Sequence, residues 1–300
     1  MTISWSLGKK PHQPTGQPEP QVSEVASAWI GQRRYLANLP YALPKDAPEA
    51  HRLDFQHFYL RAALQGLYRV PLETHRLEFV LDVGCGTGRW AHEMALAYPQ
   101  AQVFGLDIDT PPPAALPVPP NFTFVQGNVL QPLPFPDGSF DFVHQRLLAA
   151  AIPTQNWPLV IAEFARVARP GGWIELVEAS DAYLNAGPEL QRFLSWGRAV
   201  SAARGVDVGR VAHLDELLHG ASLAGVEQQV MHLPVGNWGG RLGHSLAQNV
   251  YAAFAGLRGV FCQALMLPPD QFDATLAALS DEWNTYHTKC SLYIFQACKR

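Results

Sequence analysis

The stretch Phe79-Val80-Leu81-Asp82-Val83-Gly84-Cys85-Gly86-Thr87-Gly88-Arg89-Trp90 decides the architecture. Four apolar residues flank one acid, three alternating glycines follow, and a helical pattern runs from Trp90 to Ala97. This is a buried strand, a tight turn and a helix. Such a unit offers bare backbone to a small ligand, at the carboxyl end of a strand and beside a helix N-terminus. Asp82 adds negative charge where a pyrophosphate would be repelled. The dinucleotide fingerprint spaces its glycines G-x-G-x-x-G. Here the third, Gly88, comes one residue early, and position 89 is Arg. The spacing suits a ligand with a cationic amine and no phosphate. A glycine turn of purely structural purpose is the competing reading.

Reading outward favours the ligand. Gln102 to Ile108 is a second short apolar strand that carries Asp107, about twenty residues past the glycines, where an acid can accept both hydroxyls of a ribose. Asn121 to Val129 is a third strand, with Asn128 at its tip suited to an adenine edge. Ser139 to Arg146 is a fourth. Pro170-Gly171-Gly172 stops a helix over Trp157 to Ala168 and launches a fifth strand, Trp173 to Glu178. Strands alternating with helical stretches predict a parallel sheet built from βαβ units. A helix over Pro188 to Ala203, another over His213 to Leu223, and a sixth strand over Glu227 to Leu233 follow. Helices over about Leu242 to Leu265 and Pro269 to Tyr286 lead to a last strand, Ser291 to Cys298.

Composition narrows the function classes. The chain has 300 residues, 48% of them hydrophobic and 16% charged, with 22 Lys+Arg against 26 Asp+Glu for a net charge of -4. No Lys/Arg-rich run stands out, which disfavours a nucleic-acid partner. No apolar run reaches the length of a membrane span. The N-terminal Met1 to Lys10 lacks the apolar core of a secretory signal. Cys85, Cys262, Cys290 and Cys298 show neither a disulfide framework nor zinc spacing, so no metal is expected and a cytoplasmic setting is. Residues 1–22 read as a disordered Pro-rich tail. Residues 23–70 read as a helical cap, from helices over Val22 to Ala37 and Glu49 to Tyr68. Residues 71–300 read as the core, with helical insertions at about 180–210 and 240–287.

Asp82 to Gly88 resembles motif I of the class I S-adenosylmethionine (SAM)-dependent methyltransferases; SAM has the required amine and no phosphate. The fold this implies is α/β, a seven-stranded Rossmann-like sheet with helices on both faces and an added helical cap. In such a sheet the last strand inserts antiparallel beside strand six. Arg33-Arg34-Tyr35, Tyr41-x-Leu43-Pro44 and Arg52-Leu53-Asp54-x-Gln56-His57 resemble the N-terminal signature of the LaeA-like branch. Phe140 to Arg146, Gly171 to Glu175 and Tyr286-His287 fit the same group.

The resemblance implies SAM as cofactor, a helical N-terminal cover and a largely enclosed site. One departure is Asn128, since the third-strand tip often carries an acid. The cofactor-binding candidates are Tyr35, Asp82, Gly84, Cys85, Gly86, Asp107, Ile108, Asn128, Val129 and Gln145. In-line transfer of the sulfonium methyl to an O, N, S or C nucleophile needs mainly alignment. A base is required only for a nucleophile of high pKa, which makes His144 the catalytic candidate. His57, Arg146 and Glu178 are the substrate-side candidates. Each also has a bland reading, in packing, capping or ion pairing.

Phe254, Phe261, Phe272 and Trp283 on the C-terminal helices suit a lid over a small organic substrate, an ordinary helical pair or a homodimer interface. Secondary metabolism is the natural setting for such a substrate. A SAM-binding regulatory or scaffold protein, or a SAM-dependent enzyme that does not methylate, is the alternative.

Overall fold

A computed structural model of the chain describes residues 26–72, 77–111, 117–221 and 223–300. The expected tail at 1–22 and the middle of the proline-rich loop after Asp107 lie outside the described residues.

The first described element corrects the sequence reading. In place of a helix reaching Ala37, β1 (Ser27–Ile30) and β2 (Arg33–Leu36) form an antiparallel hairpin, with Ile30 facing Arg33 and Ser27 facing Leu36. Trp29, Ile30 and Tyr35 prefer strands to helices. Gly31 supplies the left-handed turn residue, at φ +59°. Helix α1 (Ala47–Leu64) follows a short connector. Its N-cap is Asp46, whose side chain accepts the Glu49 amide, and it stops at Gln65 in the left-handed conformation.

The order then runs β3 (Phe79–Val83), α2 (Arg89–Ala97), β4 (Gln102–Asp107), β5 (Phe122–Gln126), β6 (Phe140–Arg146), α3 (Trp157–Val167) and β7 (Ala168–Leu184). It continues through α4 (Pro188–Ala202), α5 (Leu214–Gly220), β8 (Leu223–Pro234), α6 (Gly240–Gly256), α7 (Arg258–Leu265), α8 (Pro269–Tyr286) and β9 (Lys289–Lys299). The helix expected over Leu242 to Leu265 is two helices. They break beside Gly256, whose carbonyl is taken by the Tyr35 hydroxyl at 2.8 Å. The helix expected over His213 to Leu223 is shorter, and a 3-10 turn over Val208–His213 precedes it.

The seven-stranded sheet has the order β5-β4-β3-β6-β7-β9-β8. Its first five strands pair in parallel, and β9 runs antiparallel between β7 and β8. After β3 the chain winds out through β4 to β5, and after β6 it winds the other way. The boundary between β3 and β6 is therefore a topological switch point, where crossovers diverge and leave a crevice at the carboxyl ends.

Two apolar clusters sandwich the sheet. One joins α1, α4 and α6 to α8 through Leu60, Phe193, Phe261, Phe272 and Trp283. The other joins α3 and α5 through Trp157, Ile161, Phe164 and Leu218. A third, with Trp90, Met94 and Phe142, fastens α2.

Candidate functional site

The glycine turn forms as its residues require. Gly84, Gly86 and Gly88 all have positive φ, at +70°, +57° and +75°. A Cβ at Gly84 would stand 2.8 Å from the Leu148 methyls, which would have to shift, and the positive φ favours glycine there in any case. The Gly84 and Cys85 amides donate to the Leu106 carbonyl at 2.7 and 3.0 Å, which ties the turn to the end of β4.

Above the turn lies a cavity that holds, mouth included, about 1080 Å³ of empty space. Its floor comprises Asp82, Gly84, Cys85 and Gly86 from β3 and the turn, Asp107 and Ile108 after β4, Asn128 and Val129 after β5, and His144 and Arg146 at the end of β6. Its roof comprises Leu36, Tyr41 and Lys45 from the hairpin and connector, with Leu53, Gln56 and His57 from α1. Of the candidates named from sequence, Asp82, Gly84, Cys85, Gly86, Asp107, Ile108, Asn128, Val129, His144, His57 and Arg146 line this cavity. Tyr35, Gln145 and Glu178 do not line it.

Strand alternation explains those three placements. In β6, His144 and Arg146 share the cavity face while Gln145 turns to the other. There it donates to Glu178, whose carboxylate also accepts the Leu148 and Ala149 amides at 2.7 and 3.3 Å. Glu178 thus supports the loop below the cavity, and burial raises its carboxyl to about 8. Tyr35 points into the α6–α7 corner.

The acids of the floor are well held. Asp107 is 6% exposed; Oδ2 accepts the Gly86 amide at 2.8 Å, and Oδ1 meets the Lys45 ammonium at 3.1 Å and the Asp109 amide at 3.2 Å. Asp82 Oδ1 lies 2.8 Å from His144 Nδ1. A carboxylate can only accept, so Nδ1–H donates and the ring is the Nε2-bare tautomer. The His144 ring stacks on Trp90 at 3.7 Å between centroids and 4° between planes. Burial lowers its pKa despite the neighbouring Asp82. Nε2 is enclosed and reaches no partner. The ring therefore presents no free nitrogen to the cavity; it buttresses Asp82. Asn128 Oδ1 accepts the Leu130 amide at 3.0 Å, which fixes its side chain just past the end of β5.

The roof is clamped by the residues of the N-terminal signature. Arg33 makes two hydrogen bonds to Asp46, at 2.5 and 2.9 Å. Arg34 donates to the Lys45 carbonyl at 2.7 Å and to Asp109 at 2.6 Å, bridging connector and floor. Thr87 and Arg89 reach Asp54 of α1 at 2.6 and 3.4 Å. Behind α1, Asn249 of α6 accepts from Arg52 at 2.9 Å and Gln56 at 3.3 Å, and donates to the Arg52 carbonyl at 3.0 Å. Sequence reasoning missed Tyr41, Lys45, Leu53 and Gln56 as lining residues, although the Tyr41–Pro44 and Arg52–His57 motifs contain or adjoin them.

A parallel sheet with a switch-point crevice, a Gly84–Gly88 turn and acids at two adjacent strand ends define a nucleoside-binding enzyme class that has no use for pyrophosphate. Asp82 suits an ammonium, Asp107 a ribose diol and Asn128 an adenine edge, which is the donor set SAM requires. The methyltransferase-domain family matches residues 80–172. The secondary metabolism regulator LAE1 of Cochliobolus heterostrophus is 30% identical over 209 residues, 66% of this chain and 67% of its own length. The N-methyltransferase sirN of Leptosphaeria maculans is 30% identical over 219 residues, 70% of this chain and 76% of its own. The methyltransferase str3 of Strobilurus tenacellus is 38% identical over 138 residues, 46% of this chain and about half its own length, 48%. The chain belongs to the class I SAM-dependent methyltransferases, of the LaeA-like kind, and its cofactor is SAM.

Proposed function

We propose that the chain methylates a small organic molecule, of the kind made in secondary metabolism, inside the cavity between the glycine turn and α1. The observation that carries this reading is the roof: a connector and a helix, locked by ion pairs, close over the reactive end of the floor. A covered cavity of this size admits a metabolite and keeps out a folded macromolecule. The names of sirN and str3 support methyl transfer, and that of LAE1 the setting in secondary metabolism.

When bound, SAM supplies an electrophilic sulfonium methyl. The residues of the chain do the rest by binding and exclusion. Asp82, braced by His144 and Trp90, holds the ammonium; Asp107 takes the ribose hydroxyls, and Asn128 the adenine edge. Tyr41, Leu53, Trp90 and Leu148 make the apolar walls that keep water out, which strengthens every charge interaction inside. His144 acts in this reading as a positioning residue. His57 and Arg146 face the acceptor side. Residues 26–70 act as the cap, and the C-terminal helices α6 to α8 back it.

Among the described residues no helix is long and apolar enough to cross a membrane, and all four cysteines are free thiols. Both are compatible with the cytoplasmic setting we propose; a homodimer is part of the same proposal, through other surface than Phe261, Phe272 and Trp283, which are buried in the chain's own core.

Incubation with methyl-labelled SAM and a metabolite extract of the source organism tests the reading. Label is expected in the small-molecule fraction, and Asp107→Ala should abolish it. Label in protein or nucleic acid instead, or SAM bound with no turnover, contradicts it, and the latter favours the regulatory role that the name of LAE1 carries.

A further inference from the structure

One cation in the cavity has no ion-pair partner among the described residues, although Asp82, Glu175 and Glu93 act on it from further away. Three cations line it, namely Lys45, Arg89 and Arg146. Lys45 is paired with Asp107 at 3.1 Å and Arg89 with Asp54 at 3.4 Å. Arg146 makes no ion pair among the described residues. Its contact is with a neutral group, Nη2 to His57 Nδ1 at 3.0 Å.

The proton positions in that contact follow from chemistry. A guanidinium can only donate, so His57 Nδ1 is the bare nitrogen and its hydrogen sits on Nε2, which faces the Glu93 carboxylate at 3.3 Å. His57 is 1% exposed, and burial first, then the Arg146, Arg89 and Arg61 cations, hold its pKa down at about 3. It therefore stays neutral, orienting the guanidinium without cancelling its charge. The nearest other acid on β7, Glu175, has turned one oxygen to the Arg69 and Val70 amides at 2.6 and 3.2 Å.

Burial is the largest influence on Arg146, and Asp82, Glu175 and Glu93 offset it only from beyond ion-pair distance. A buried cation without a directly bonded anion is costly, and an anionic ligand would relieve that cost. The shape of the guanidinium narrows the choice, because its planar fork matches a carboxylate with two parallel hydrogen bonds. The strand register adds position. Asp82 is opposite His144, and Arg146 is two residues on, along the same face of β6. A negative and a positive group thus stand at neighbouring strand ends, beside the same open space.

We propose that Arg146, oriented by His57, is a carboxylate receptor of the cavity. It rests on the reading that this cavity holds SAM and an acceptor molecule, and either supplies the carboxylate: the methionine end of the cofactor, whose ammonium goes to Asp82, or an acid group of the acceptor.

Calorimetric titration decides between the sources and tests the proposal. Wild-type protein and Arg146→Met are titrated with SAM, decarboxylated SAM and 5′-methylthioadenosine, and then, saturated with S-adenosylhomocysteine, with benzoate. If the cofactor is the source, Arg146→Met loses tenfold or more in SAM affinity while decarboxylated SAM and methylthioadenosine bind as before. If the acceptor is the source, SAM affinity is unchanged, and benzoate binds the saturated wild type but not the variant. Unchanged methylthioadenosine binding shows that the variant is folded. Equal affinities of wild type for SAM and decarboxylated SAM, with no benzoate binding, overturn the proposal without any variant. Failure of wild type to bind SAM at all would instead sink the methyltransferase reading beneath it.

Discussion

His57 and Glu178 respond to pH in opposite directions. His57 has a pKa of about 3 in the folded chain against 6.5 when exposed, so between these values the unfolded state binds the extra proton. Its stabilising contribution is present above pH 6.5 and is lost as the pH falls toward 3. Glu178 keeps its proton up to about 8 in the folded state and releases it near 4.5 when unfolded. Its contribution is present below 4.5 and is lost as the pH rises through 8. Thermal melting against pH should therefore show a maximum between the two, and His57→Gln should flatten the acid limb alone. An acid limb unchanged in the variant would show that His57 is not the buried neutral base described. At this scale much of the site was legible. Asp82, Gly84, Gly86 and Asp107 lie in one strand–turn–helix unit and the strand after it, so local pattern suffices. Gln145 and Glu178 were misplaced because a strand tip was counted whole. The period-two rule separates Gln145 from His144 and Arg146.

At the level of elements, the roof depends on a helix that never touches the cavity. Asn249 of α6 is 2% exposed and ties α1 down through Arg52 and Gln56. Arg52 itself is bidentate to Glu49 at 2.8 and 2.6 Å, so a buried ion pair and an amide form one network between the two helices. Asn249→Ala leaves the Arg52 guanidinium and carbonyl short of partners. A loss of roughly 2–4 kcal/mol of stability by urea unfolding is expected. A change below roughly 0.5 kcal/mol, the range of an unimportant surface site, would show that the network is not what holds α1. The hairpin and this network were the least legible elements. The spacing of Trp29, Ile30 and Arg33 fits a helical face, and the signals against it were the strand preference of Trp29 and Ile30 and the turn residue Gly31 between them and Arg33. The Asn249 contact spans nearly two hundred residues of sequence, about which local pattern says nothing.

Across the whole molecule, the last strand closes what the first ones begin. β9 is hydrogen-bonded along both edges, to β7 from Trp173 to Leu184 and to β8 from Leu223 to Pro234. It carries Leu292, Ile294, Phe295 and Ala297, each at most 2% exposed. The alternation of strands and helices made the parallel part of the sheet readable from period and order, whereas the antiparallel insertion of the last strand was legible only through the resemblance to methyltransferases. A cover from residues 23–70 was expected from the resemblance, but which of its side chains reach the site was not readable, because Lys45, Tyr41 and Leu53 come to it from a different part of the chain.

The central claim is that the crevice at the carboxyl ends of β3, β4 and β6 holds the cofactor, with Asp107 on the ribose. Equilibrium titration of SAM into wild type and Asp107→Ala tests it most directly. Hydrogen bonds to a charged group are worth about 1.5–3 kcal/mol, so the variant should bind about 10- to 100-fold more weakly while melting as a folded protein. An unchanged dissociation constant in a folded Asp107→Ala protein would contradict the account.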